Sequence, residues 1–304
     1  MDLRSRLSVY LQKYYILFRL KTLFIYIFPL TLGFAAAADG GGTIPGYKIA
    51  LMYLGFLCGS FFSSSLNFYA DAPADRLHND MYKDQTISNQ PFVTGEMGGL
   101  ETVLLFTLSG VGCVVFSLLV SLYFAVFMLG SVVVLGILYS HPWFRLKAKP
   151  ILDILTNAAG ACVLLIAGWK AVDSATWPPI WPLVFGFLFA STLYIPSVAN
   201  DVPFDAAVGF RTSGVVFGAK PLLNVMIPIC VLMIPVAVIN FIVDQSWLFK
   251  LFIAMALPGA MVFTAGMHLL YRPPHIRFNT ALLVYPIAGL LLFYFVYGVN
   301  AIFR

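Results

Sequence analysis

Two short stretches hold residues whose types and spacing suit a definite chemistry. Asn67, Asp71 and Asp75 recur at intervals of four. On a helix that spacing puts one amide and two carboxylates on a single face. Asp201 and Asp205 repeat the interval much later, and both acid pairs have the form Asp-x-Pro-x-Asp. Four carboxylates converging on one cavity repel one another unless divalent cations neutralise them. All-oxygen ligands suit Mg²⁺, which keeps several waters and is completed by substrate phosphates. The expected metal set is therefore Asp71, Asp75, Asp201 and Asp205, with Asn67 assisting, and the expected substrate carries a phosphate group, in the form of a diphosphate.

Cations are needed to hold such a group. Lys83, Arg145, Lys147 and Arg211 are the candidates, with Lys149 close by. Arginine grips phosphate oxygens with two parallel hydrogen bonds, whereas lysine acts as a point charge. The competing reading of residues 145 to 149 is that they only anchor a cytoplasmic loop. Tyr139, Asp153, Asn157, Tyr194 and Asn200 are candidate cavity residues; Asp153 either lines the cavity or pairs with the basic loop. Asp80, Asp84, Glu96, Asp173 and Asp244 read as solvated loop acids. His78, His141, His268 and His275 lack metal-ligand spacing.

These side chains must be positioned by membrane helices. The chain has 304 residues, of which 61% are hydrophobic and 10% charged, and its mean hydropathy is +0.90. Soluble domains carry roughly 25% charged residues, so the class is integral membrane protein. Spans are expected near 15–38, 47–70, two within 99–139 with a turn at Ser117 to Ser121, 151–169, 179–199, 221–241, 246–270 and 280–301. A polar loop is expected over 71–97, and residues 3 to 13 suit a basic amphipathic helix on the membrane surface. Ala35 to Ala38 resembles a signal-peptidase site, but the long lead-in and the later spans argue against cleavage.

With nine spans and a cytoplasmic N-terminus, fourteen cations fall inside: Arg4, Arg6, Lys13, Arg19, Lys21, Arg76, Lys83, Arg145, Lys147, Lys149, Arg211, Lys220, Arg272 and Arg277. Four fall outside: Lys48, Lys170, Lys250 and Arg304. This bias obeys the positive-inside rule, puts both acid pairs on the cytoplasmic side and the C-terminus opposite. It also explains the net charge of +5 without nucleic acid as a partner. Cys58, Cys113, Cys162 and Cys230 lie in apolar segments and read as buried hydrophobes. Each acid pair ends the second helix of a set of four. The expected architecture is an all-α membrane protein of about nine spans, with two four-helix repeats around a central cavity, and residues 1 to 304 form one domain. A diphosphate at the mouth of an apolar membrane cavity suggests an isoprenoid, whose tail lies between helices in the bilayer.

These motifs resemble the UbiA superfamily of membrane prenyltransferases. Asn67, Asp71 and Asp75 match its first acidic motif, and Asp201 and Asp205 its second. Gly209 and Thr212 match the Gly-x-x-Thr continuation, and Tyr139-Ser140-His141-Pro142 with Arg145 and Lys147 its Tyr-Ser-x-Pro stretch. The resemblance implies Mg²⁺, a prenyl diphosphate, and transfer of the prenyl group to a lipophilic acceptor. Phe68 stands where many members have Asp, Gln90-Pro91 where many have Arg-Pro, and Ala206 where a basic residue is common. The metal-binding skeleton is kept while acceptor-side features differ, and the Tyr-Ser-x-Pro, Arg-x-Lys and Asp153 pattern is somewhat like that of carotenoid-extending members. Two other readings stand beside transfer. A terpene cyclase would ionise the same diphosphate and need no acceptor. A transporter would use the acids as an ion path, which suits midplane acids better than acids at span ends.

Overall fold

The computed structural model describes residues 11–20, 22–81, 90–243, 246–270 and 281–303. Among them, every regular element is helical. Six helices are long and apolar enough to cross a bilayer, and three shorter apolar helices accompany them: Leu23–Asp39, Leu122–Leu138 and Ile287–Ile302. The chain is an all-helical, multi-pass membrane protein. The expected nine spans are reached only when the three shorter helices are counted with the six.

In chain order the helices are α1 (Leu23–Asp39), α2 (Gly46–Met81), α3 (Gly99–Val120), α4 (Leu122–Val132, continued by the π-helical turn Val133–Leu138) and α5 (Leu152–Val172). There follow α6 (Ile180–Asn200), α7 (Val202–Ala207), α8 (Ser213–Phe217), α9 (Ala219–Asn224), α10 (Met226–Val243), α11 (Trp247–Leu270) and α12 (Ala281–Ile302). The turn expected at Ser117 to Ser121 is a single residue: α3 ends at Val120, and the Ser121 hydroxyl caps α4 by accepting from Phe124 N at 3.0 Å.

The loop expected from Asp71 is helix instead. α2 has 36 residues and runs on to Met81. At 1.5 Å per residue it is about 54 Å long, against a hydrocarbon core of about 30 Å. Its C-terminal turns therefore stand in the polar zone, where carboxylates are cheap to place.

The repeat is visible in which helices touch. α2 packs on α3, α3 on α4, and α2 on α4; in the second set α6 packs on α10, α10 on α11, and α6 on α11. The lead helices of the two sets, α1 and α5, pack on each other, and α12 closes against α1. The α1–α5 crossing runs through two glycines. A Cβ on Gly33 would overlap the Leu165 carbonyl and lie 3.0 Å from Trp169 N; one on Gly168 would overlap the Leu30 carbonyl and lie 2.9 Å from Phe34 N. The contact is reciprocal, Leu30-x-x-Gly33-Phe34 against Leu165-x-x-Gly168-Trp169, as a local two-fold requires. Small residues let membrane helices approach to backbone contact, where dispersion and packing hold them.

Of the amphipathic helix expected over 3–13, residues 3–10 lie outside the described residues; residues 11–17 are helical, and Lys13 and Leu17 within them are buried. Lys13 is only 4% exposed. Its ammonium donates to Glu101 Oε2 at 2.6 Å and to the Glu96 carbonyl at 2.8 Å, while Tyr14 donates to Glu101 Oε1 at 2.6 Å. Leu17 is buried in a cluster with Ala72, Phe92 and Leu105. This segment is docked on the polar ends of α2 and α3, beside the first acidic motif.

Candidate active site

The first motif sits on α2 as the interval of four predicts. Asn67 is buried; its amide donates to Ser140 Oγ at 3.1 Å, and its carbonyl oxygen accepts from Arg19. One turn on, Asp71 meets two cations. Arg145 Nη2 lies 3.0 Å from Asp71 Oδ1, and Lys147 bonds the other oxygen. A further turn on, Asp75 accepts from Gln90 Nε2 at 3.4 Å. Gln90 is 2% exposed, also donates to the Phe68 carbonyl at 3.2 Å, and caps a short turn by accepting from Phe92 N at 2.9 Å. The residue that departs from the family pattern thus orients a motif carboxylate.

The second motif takes a different local form. Asp201 ends α6, and Pro203 falls in the first turn of a new helix, α7, which carries Asp205. Proline is tolerated there because the first-turn N–H groups have no intrahelical acceptor. Asp205 accepts from Thr212 Oγ1 at 2.9 Å, and Asn200 Nδ2 lies 3.5 Å from Asp201 Oδ1.

One cavity of about 740 Å³ joins the two motifs. Asn67, Asp71, Asp75, Asp201 and Asp205 all line it, as do Lys147, Tyr139, Asn157, Tyr194 and Asn200. Below the polar mouth the walls are apolar, with Phe28, Leu32, Phe189 and Phe252 among them. Tyr139 and Tyr194 are hydrogen-bonded to each other across the cavity wall. The guanidinium of Arg145 lies 4.3 Å from the Phe210 ring centroid, so this residue bridges the first motif and the loop after the second.

Two expected residues fall differently. Arg211 is exposed and does not line the cavity. Asp153 does line it but does not pair with the basic loop: its carboxylate accepts from Ser213 N at 2.7 Å, Ser213 Oγ at 2.6 Å and Ile154 N at 2.9 Å. It pins the start of α5 to α8, which is a structural task. Lys83 lies outside the described residues.

Arg19 is the residue that sequence reasoning assigned only to topology. It has φ 49, a left-handed conformation unusual for a side-chain-bearing residue. Phe18 stacks on Phe61 at 3.6 Å while the chain reverses, and Arg19 turns into the cavity. There it bonds Asn67 and lies 4.7 Å from the Phe68 ring centroid. The one sequence signal was an arginine followed closely by a long apolar run.

The donor set fits a hard divalent cation, being all oxygen, with neither thiolate nor imidazole. Among the described residues no three acidic, His or Cys side chains lie close enough to hold one ion by themselves. Phosphate oxygens would have to complete the shell, which is how Mg²⁺ is commonly bound. The second pair also has a measurable electrostatic signature. Burial pushes Asp201 up to about 6 and Asp205 up to about 7, the latter helped by the charges of Asp201 and Asp71. Burial holds Lys147 below the usual lysine range, against the pull of Asp71. Protons therefore compete with a divalent cation for the second pair near neutrality. Mg²⁺ affinity is expected to be highest above pH 7 and to fall as pH drops through 7 and then 6, by roughly tenfold per pH unit for each proton displaced. Isothermal titration with Mg²⁺ and a non-hydrolysable prenyl diphosphate across pH 5.5 to 8.5 checks this; a flat profile would refute it.

The fold and this site define an integral membrane protein whose acid- and base-lined mouth opens on an apolar chamber. The sequence model of the UbiA prenyltransferase family matches residues 26–281. The chain belongs to that family, and is an enzyme of prenyltransferase type. It is similar in structure to a UbiA homologue from Archaeoglobus fulgidus bound to DMAPP and Mg²⁺, with TM-score 0.83, 26% identity, and coverage of 95% of this chain and 99% of the other. A UbiA homologue from Aeropyrum pernix K1 shares the fold, at TM-score 0.67 and 15% identity over 91% of this chain and 96% of its own. A lycopene elongase/hydratase from Halobacterium salinarum is 37% identical over 86 residues, or 28% of this chain. The match spans about 30% of that protein's length.

Proposed function

We propose that the protein transfers an isoprenyl group from a prenyl diphosphate to a lipophilic acceptor, with Mg²⁺ as cofactor. The observation that carries this reading is the single cavity that gathers both acid pairs and Lys147 above an apolar chamber. Asp71, Asp75, Asp201 and Asp205 hold the metal with Asn67, and bound Mg²⁺ offsets the charge that builds on the departing diphosphate. Arg145 and Lys147 already stand on Asp71, and Lys147 also lines the cavity. Their positive charge favours scission of the C1–O bond. The allylic cation is then sheltered from bulk water by the chamber and faced by aromatic rings. The Archaeoglobus homologue bound to DMAPP and Mg²⁺ supports this assignment.

The acceptor we infer is an alkene-bearing isoprenoid of the polyene type. The stretch shared with the lycopene elongase/hydratase supports it, as does the loss of the usual residues at Phe68 and Gln90. Residues 1 to 304 act as one catalytic domain, with the N-terminus and the acid pairs facing the cytoplasm and the C-terminus opposite.

Purified protein in lipid nanodiscs should release diphosphate from geranyl diphosphate only when Mg²⁺ is present, and a chelator should stop it. A cyclic terpene formed without any acceptor would replace transfer by cyclisation. Arg19→Ala is expected to raise the KM for the prenyl diphosphate about tenfold, with a smaller change in kcat, because a charge-assisted contact to phosphate is worth about 1.5–3 kcal/mol. Unchanged kinetics would return Arg19 to a purely topological role.

A further inference from the structure

A second, smaller pocket adjoins the main cavity between α1, α2 and α4. Its volume is about 80 Å³. It shares Arg19, Asn67, Tyr139 and Asn157 with the main cavity, so the two spaces meet at the first motif. Its far wall is polar, with Ser60, Ser63 and Ser64 of α2 lining it.

These serines differ from the back-bonded hydroxyls of the other spans, and unlike the equally unpaired Ser65 and Ser117 they line a pocket. Ser109, Ser191 and Thr192 satisfy themselves on the carbonyl four residues back, at 2.6, 2.8 and 3.0 Å. That is the usual solution for a hydroxyl in a membrane helix. Among the described residues, Ser60, Ser63 and Ser64 make no such bond, and the Ser64 hydroxyl, though buried, has no partner. A polar group in an apolar setting costs on the order of 1–3 kcal/mol when unpaired. The unpaired Ser64 hydroxyl, with the half-buried Ser60 and Ser63 lining the same wall, calls for a polar occupant. The opposite wall is formed partly by the π-helical continuation of α4, where Gly136 lies against Ser63 and Leu135 lines the pocket. π-Helical turns are frequent at functional sites.

Size selects the occupant. A water needs about 10–15 Å³ of such space and two to four polar partners. The pocket meets both conditions several times over, and is far too small for a second isoprenoid. A hydrated pocket opening on a carbocation site is a liability unless the water is a reactant. We propose that this serine-lined pocket delivers the water that captures the carbocation, making the enzyme a hydrating prenyltransferase. The inference rests on the prenyl-diphosphate reading above. The acceptor's alkene forms a C–C bond to C1 of the prenyl group as the C1–O bond to diphosphate breaks, which leaves a tertiary cation on the acceptor. Water donates a lone pair to that carbon, a C–O bond forms, and the surplus proton passes to a diphosphate oxygen. One water is consumed, and no oxidant or reductant is needed.

The test uses the full-length protein in nanodiscs with geranyl diphosphate, Mg²⁺ and lycopene in H₂¹⁸O. The prenylated product should carry ¹⁸O; label confined to a free prenyl alcohol, which solvolysis of the diphosphate alone gives, overturns the proposal. Ser60→Ala/Ser64→Ala should lower the hydrated fraction about fivefold in favour of alkenes formed by proton loss, while diphosphate release stays within about twofold. Ser109→Ala, on a back-bonded serine, should leave the ratio unchanged. If the double variant does not fold, each single variant reads the same ratio. Oxygen-free products, or a hydrated fraction indifferent to both serines, overturn the proposal. Loss of transfer to lycopene at an unchanged hydrated fraction would overturn it too, by giving the pocket to the acceptor. Diphosphate release without ¹⁸O removes only this inference; absence of release removes the prenyl-diphosphate reading and this inference together.

Discussion

Asp71→Asn lowers Mg²⁺-dependent diphosphate release by about a thousandfold or more, with the protein still folded. The expectation follows from what Asp71 touches. It lines the cavity with the other three motif carboxylates, and it is the one that bonds both Arg145 and Lys147. The substitution keeps the shape and one acceptor oxygen but deletes the charge. On the proposed assignment the metal loses an anionic ligand, and Arg145 and Lys147 lose the carboxylate that pairs with both. Arg145 is then tied mainly by the Ala70 carbonyl at 3.3 Å and its stacking on Phe210. Both losses weaken charge stabilisation where the leaving group departs. Asp80→Asn, at an exposed position on the same helix, is the matched control and should leave the rate unchanged. Single-turnover measurement of diphosphate release, with thermal unfolding as the folding check, decides the matter. A folded Asp71→Asn variant with wild-type rates would remove Asp71 from the metal set.

Gly168→Val should prevent stable assembly of the two halves. The site of the first added carbon is already taken by the Leu30 carbonyl of α1, and backbone atoms cannot rotate away as a side chain can. The helices must separate by more than a methyl radius along their whole crossing. Overpacking of side chains in a core costs about 1–3 kcal/mol, occasionally more, and backbone overlap belongs at the upper end. α1 also contacts α12 and α11, so the displacement spreads to the walls that carry Phe28 and Phe252. The expected readout is a large fall in detergent thermal stability and in monodisperse yield. Gly186→Val, where nothing lies within 4 Å of an added Cβ, should be tolerated. Equal stability of both variants would show that the glycine crossing does not hold the repeats together.

Much of the fold is legible in one dimension because the bilayer leaves few choices. Backbone polar groups in hydrocarbon must be satisfied within the segment, so long apolar runs are helices. The span limits expected for α5, α6, α11 and α12 accordingly fall within a few residues of the observed ones. The interval of four in Asn67, Asp71 and Asp75 specifies a shared helical face with no knowledge of the rest of the molecule. Arg145 and Lys147 were singled out by sign and position alone, and the structure sets both against Asp71.

Other features depend on contacts distant in the chain, which no local pattern encodes. The same Asp-x-Pro-x-Asp string is continuous helix at Pro73 and a helix break before Pro203. Its form is set by whether the helix continues or a new one starts there, not by the five residues. Asp153 has an acid's sequence signature, yet Ser213, sixty residues away, makes it a structural tie. Arg19 reads as one more cytoplasmic cation until Phe18 stacks on Phe61 and the chain turns it onto Asn67. The sequence by itself determined the membrane class, the helices and the acid pairs, because hydrophobicity and helical periodicity are local. Only the tertiary structure decided which charges face the cavity and which serines line its side pocket, because burial and pairing belong to helices brought together across the fold.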